Sequence, residues 1–123
     1  MKQNRAEEER IERYADMFAA MGTEPRLRIM RLLLAAHPAG MIVGDLQAEL
    51  GIPGSTLSHH LDKLRNEGLV KVRRNGPFLW HTADTESLEE ILTFLYSECC
   101  TRNRAVKPEA VVASGVRIQG RKS

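Results

Sequence analysis

The only two thiols of this 123-residue chain are adjacent, Cys99 and Cys100, in the stretch FLYSECCTRNR. Thiolates are soft donors, so the pair suits a soft thiophilic ion or a metalloid. Arg102, Arg104 and Lys107 follow closely. They favour the thiolate forms and offset the unfavourable negative end of a helix terminating there. On a helix, Cys99 falls on the apolar face and Cys100 about 100° around from it, so both sulfurs reach one atom only if the helix end frays locally. Three rival uses are weaker. A single cysteine would more simply fill a core, and adjacent cysteines close a strained ring, which handicaps a redox switch. A thiol enzyme would need a resolving geometry such as Cys-x-x-Cys, which is absent, so no enzyme is expected.

A second constellation lies in GSTLSHHLDKLRNEGLVKVRRNG. Ser55, Thr56, Ser58, His59 and Lys63 fall on one side of a short helix. Short hydroxyls and an imidazole near its N-terminus can approach phosphates and base edges closely, and the helix end itself favours anions. Arg73 and Arg74 follow near the tip of a hairpin, where long cations reach an adjacent groove. Between Pro53 and Thr82 five Lys and Arg face two Asp and Glu, a local excess of positive charge in a chain whose net charge is only +2. Ser58, His59 and Asp62 do not read as a hydrolase triad, because adjacent helical residues point about 100° apart and no oxyanion site accompanies them.

These groups need elements to hold them. Residues 4–21 read as a helix with Ile11, Tyr14, Ala15, Phe18 and Met21 along one stripe. Thr23 caps a second helix with Pro25 in its first turn and Leu27, Met30, Leu33 and Leu34 inward; Pro38 and Gly40 stop it. Two short helices follow, at 43–50 with Leu46 and Leu50 inward and at 55–67 with Leu57, Leu61 and Leu64 inward. The tight GIPG turn between them makes a helix-turn-helix. The period then switches to two: Val70 and Val72 alternate with Lys71 and Arg73, Asn75-Gly76 signals a hairpin, and Phe78 and Trp80 alternate on the return strand. A hairpin directly after such a helix is a wing. A last helix at 85–101 carries Leu88, Ile91, Leu92, Leu95 and Cys99 on one face.

The expected fold is therefore mainly α with a small β-hairpin, a winged helix-turn-helix. Its parts are an N-terminal dimerisation helix (1–22), a DNA-binding core (23–84), a C-terminal dimerisation and sensor helix (85–101) and a flexible tail (102–123). The apolar stripes on 11–21 and 88–99 exceed what so small a domain covers by itself. A two-fold homodimer would bury them and present two recognition helices about one DNA turn apart. The composition, 42% hydrophobic and 28% charged, is that of an ordinary globular chain. No apolar run approaches the roughly 18–20 residues that span a bilayer, and the first ten residues hold no apolar signal core. A cytoplasmic protein with reduced thiols and no membrane partner is expected.

MGTEPRLRIMRLL, STLSHHLDKLRNEGLVKVRRNG and their order resemble the ArsR/SmtB family of bacterial metalloregulators over roughly residues 11–100. The resemblance implies a winged-helix repressor, homodimeric through its first and last helices, that leaves double-stranded operator DNA when a metal or metalloid binds. It places the family's DNA-contacting serine, serine and histidine on Ser55, Ser58 and His59, and Gly54 where many relatives have glutamine. The Cys-Val-Cys-Asp-Leu motif of arsenic-sensing relatives is replaced here by Ile42-Val43-Gly44-Asp45-Leu46, and the last helix has no histidine for a zinc site. Cys99 and Cys100 remain as the inducer site, with no constitutive cofactor. Four-coordinate zinc would lack two protein ligands, and arsenite, which takes three, would lack one. Methylarsenite needs only two thiolates, as in relatives selective for trivalent organoarsenicals. Arsenite completed by water, a small thiol or a thiol of the other protomer stays open, as does antimonite. A regulator answering to thiol oxidation, or to no ligand, is the alternative.

Overall fold

The structure, a computed structural model, describes residues 4–102, 107 and 109–111, with side chains outside 98–102. In chain order it contains α1 (Arg5–Met21), α2 (Glu24–Ala35), β1 (Met41–Ile42), α3 (Val43–Leu50), α4 (Gly54–Asn66), β2 (Val70–Asn75), β3 (Phe78–Ala83) and α5 (Thr85–Arg102). The fold is mainly helical with one small antiparallel sheet, as the sequence predicts. The chain divides into two units between Leu88 and Glu89, within α5.

In the first unit, side-chain caps open the first two helices. Asn4 accepts the amide of Glu7 at 2.9 Å to open α1, and Thr23 accepts that of Arg26 at 3.4 Å to open α2. The inward face of α1 is Tyr14, Met17 and Ala20, so the predicted stripe is rotated: Ile11 is 44% exposed. On α2 the buried residues are Ile29, Met30 and Leu33, whereas Leu27 and Leu34, expected inward, are exposed. Four consecutive apolar residues from 32 to 35 leave the phase of a helix ambiguous, and packing chose the face centred on Met30. α4 needs no such correction. Leu57, Leu61 and Leu64 are buried at spacings of four and three, and burying each stabilises the helix by about 1.5–3 kcal/mol.

The sheet has the order β1-β3-β2. β1, which no sequence pattern announces, pairs Met41 with His81 and Ile42 with Trp80. β2 and β3 pair Val70 with Ala83, Val72 with His81 and Arg74 with Leu79, and between these Lys71 with Thr82, Arg73 with Trp80 and Asn75 with Phe78. Since Val70 faces the core, the alternation of side chains puts His81 and Ala83 on the buried face. Phe78 and Trp80 therefore line the outer face, and Phe78 is 50% exposed. Gly40 is required where the chain enters β1: its φ is +85°, and a Cβ there would collide with the carbonyl oxygen of His81 and lie 2.6 Å from Cγ2 of Thr82.

In the second unit, Ile91 is fully buried while Leu92 and Leu95 are 56% and 51% exposed. Among the described residues no helix is long and apolar enough to cross a membrane.

Candidate nucleic-acid interface

The first turn of α4 carries no side-chain cap: Pro53 precedes it, and the amides of that turn have no side-chain acceptor. A helix start left this way presents donors and the positive end of its dipole. Four of the predicted residues lie in the first two turns of α4, and Lys63 lies in its last turn. Ser55, Thr56, Ser58, His59 and Lys63 are all exposed. They form two rows along the outward side of α4, Ser55 with Ser58 and Thr56 with His59 and Lys63, at offsets of three and four. Asp62, also exposed, continues the serine row and adds a negative charge toward the C-terminal half, which leaves the first two turns as the part suited to phosphate.

One residue of this surface carries no signal in the sequence. Gln47, on α3, lies beside the helix start: a Cβ built on Gly54 would be 3.6 Å from its Nε2 and 3.7 Å from its Oε1. The amide thus lies at ordinary van der Waals distance from where a side chain of residue 54 would begin. Only the turn between α3 and α4 brings it there, so no local pattern could have found it.

The wing separates the two arginines that the sequence pairs. Arg73 shares the outer face with Trp80, and its Nη2 donates to the carbonyl oxygen of Ala39 at 3.1 Å, anchoring the hairpin to the chain before β1. Arg74 projects on the other face beside Leu79, one residue nearer the turn, and is exposed. Both side chains are exposed, and Arg73 engages only one of its five donors.

Two histidines have lowered pKa values. His60, half-buried on α4, is lowered by burial, then by the neighbouring Arg26 and His59. His81 is lowered chiefly by burial and also by Arg65, against a backbone hydrogen bond with Leu79 and the charge of Asp62. His81 is 7% exposed, and its Nδ1 has no hydrogen-bond partner among the described residues. It is a core group beneath the wing, not part of the surface.

Cys99 and Cys100 lie on α5, and their side chains fall outside the described residues, as does most of the predicted tail. Among the described residues no three His, Cys, Asp or Glu side chains group as metal ligands do.

Residues 21–73 match the model of a helix-turn-helix domain family. The chain is 36% identical over 84 residues to an uncharacterised helix-turn-helix-type transcriptional regulator of Methanocaldococcus jannaschii, covering 68% of this chain and 92% of that protein. It is 35% identical over 78 residues to a Halobacterium salinarum protein named as an arsenical resistance operon repressor, covering 62% and 65%. Among solved structures, NolR from Sinorhizobium fredii superposes with a TM-score of 0.61 at 31% identity, over 79% of this chain and 94% of that one. An ArsR-like transcriptional regulator from Rhodococcus sp. RHA1 shares the fold, with a TM-score of 0.67 at 22% identity over 88% and 93%.

Proposed function

This chain belongs to the ArsR family of DNA-binding winged helix-turn-helix transcriptional regulators, and we propose that it is a homodimeric repressor released from its operator by a trivalent arsenical held on Cys99 and Cys100. The observation that carries the DNA half is the outward side of α4, where Ser55, Thr56, Ser58 and His59 lie exposed over the first two turns of a helix whose start has no side-chain cap, with Lys63 farther along the same side. In this reading α4 enters the major groove, the hydroxyls and His59 meet phosphates and base edges, and Arg74 reaches the flanking backbone from the wing. A second copy supplies the other recognition helix and covers apolar side chains that the single chain leaves in water, Ile11 on α1 and Leu92 and Leu95 on α5.

The sensing half rests on donor chemistry. Cys99 and Cys100 are the only thiols of the chain. Methylarsenite bound by both exchanges two arsenic–oxygen bonds for two arsenic–sulfur bonds, and the thiol protons leave with the oxygens as two waters, without oxidation or reduction. The arsenical then repositions the end of α5 and with it the dimer. Coupling is reciprocal: DNA weakens arsenical binding by the factor by which the arsenical weakens DNA binding.

The test is fluorescence anisotropy of a labelled duplex from immediately upstream of the protein's own gene, bound by reduced protein and challenged in turn with arsenite and methylarsenite. Release by methylarsenite at much the lower concentration is expected, with Cys99→Ser binding DNA normally and resisting release. Equal potency of arsenite would require a third ligand from outside the pair. A Cys99→Ser protein released as readily as wild type would overturn the site.

A further inference from the structure

Arg26 stands in the first turn of α2, at the positive end of that helix's dipole, where a cation is disfavoured. It is also half-buried, which adds a desolvation cost. A guanidinium so placed needs partners, and it finds them on two other helices. Its Nε donates to the carbonyl oxygen of Ala20 in the last turn of α1, one of the carbonyls that a helix end leaves without an intrahelical partner. α1 has no basic residue in its own last turn, so Arg26 supplies across the turn the positive charge which that end favours. Its Nη1 lies 3.2 Å from Nδ1 of His60, at the centre of α4. Guanidinium has no acceptor, so Nδ1 accepts and the neutral imidazole keeps its proton on Nε2.

We propose that Arg26 is a positioning residue for DNA reading, a clamp that ties the end of α1 to the centre of α4 and fixes the tautomer of His60. The proposal rests on α4 being the DNA-contacting helix. His60 adjoins His59 on that helix, the two rings 6.2 Å apart and tilted by 53°. Holding the half-buried ring therefore restrains the exposed one on the reading surface. The clamp also gives α1 a direct hold on α4, since a shift of the Ala20 carbonyl moves the guanidinium that His60 accepts from. Lysine cannot substitute, because a single ammonium on a flexible stem does not bridge two acceptors with the fixed fork of a guanidinium.

The experiment uses the full chain and two labelled duplexes of equal length, the upstream fragment and a scrambled one, titrated over a salt series. Imidazole nitrogen shifts are recorded by NMR alongside. Wild-type His60 should show an unprotonated Nδ1. Arg26→Met and Arg26→Lys should both melt cooperatively, lose that tautomer preference and lower the preference for the upstream duplex roughly tenfold, about 1.4 kcal/mol, with the salt slope unchanged. His60→Asn, whose amide oxygen can stand where Nδ1 does, should retain most of the preference. His60→Leu should lose it, and combined with Arg26→Met should lose no more. A salt slope reduced by about one per arginine would make Arg26 a direct phosphate contact instead, and additive losses would likewise overturn the clamp. Wild-type protein that favours neither duplex would contradict the DNA reading itself. The NMR arm then decides the clamp alone, which a proton on Nδ1 would sink.

Discussion

The wing arginines give the sharpest prediction, because neighbouring, chemically identical side chains point to opposite faces of the hairpin and only Arg73 has a hydrogen bond to Ala39. Arg73 is engaged with the Ala39 carbonyl at 3.1 Å, whereas Arg74 is exposed on the opposite face of the hairpin. If Arg74 neutralises one phosphate, a dimer loses two such contacts in Arg74→Ala, and the slope of log affinity against log salt should flatten by about 1.8. Over a fourfold change from about 50 to about 200 mM salt, the ratio of mutant to wild-type dissociation constants should then shrink about twelvefold. The loss should be the same on any duplex, since phosphates carry no sequence. Arg73→Ala should change the slope by less than about half a unit and appear instead as a stability loss of about 0.5–1 kcal/mol from its exposed hydrogen bond. Anisotropy titrations at four salt concentrations, with thermal melts of each variant, measure both. Equal flattening by the two substitutions, or none with Arg74→Ala, would refute the assignment.

Three further outcomes follow from packing and charge. Leu92→Glu with Leu95→Glu should leave the fold intact and dissociate the dimer: four half-exposed leucines at about 1 kcal/mol each amount to about 4 kcal/mol, close to a thousandfold in the dimer dissociation constant. Sedimentation equilibrium reads this directly, and an unchanged constant would remove α5 from the interface. Gly40→Ala should destabilise the protein by about 2–4 kcal/mol, from positive φ and collision with the His81 carbonyl; a variant melting like wild type would contradict that approach. His81 titrates below its ordinary 6.5 in the folded state, so the unfolded chain binds its proton more readily. The corresponding stability is fully present above pH 6.5 and is lost as pH falls through the folded value. His81→Phe should remove this part of the acid sensitivity in urea melts between neutral and mildly acidic pH, and identical pH profiles for the two proteins would count against it.

What the sequence made legible was whatever has a strong local period or a turn signal. Leu57, Leu61 and Leu64 announce both α4 and its buried side, so the surface bearing Ser55, Ser58 and His59 follows by elimination. Asn75-Gly76 announces the hairpin. What was not legible depends on contacts between segments. Phe78 and Trp80 give the alternation of their strand but not which face is inward; register with Val70 and Val72 turns His81 and Ala83 inward. β1 has two residues, too few for any period. The placements of Arg73, Gln47 and Arg26 rest on neighbours elsewhere in the chain: Ala39 and His60 are each 34 residues from the arginine they meet. Cys99 and Cys100 lie on α5 with side chains outside the described residues, so the soft guest that their type suggests is a proposal from donor chemistry alone.

The central claim, that the outward side of α4 and the Arg74 side of the wing form the DNA interface, is tested most directly by mapping amide shifts on adding the upstream duplex. The account predicts that the largest changes fall on Ser55, Thr56, Ser58, His59 and Lys63 and on the β2–β3 turn around Arg74. Changes concentrated instead on Arg28, Arg31 and Glu49, which line the shallow groove between α2 and α3, with α4 unmoved, would contradict it.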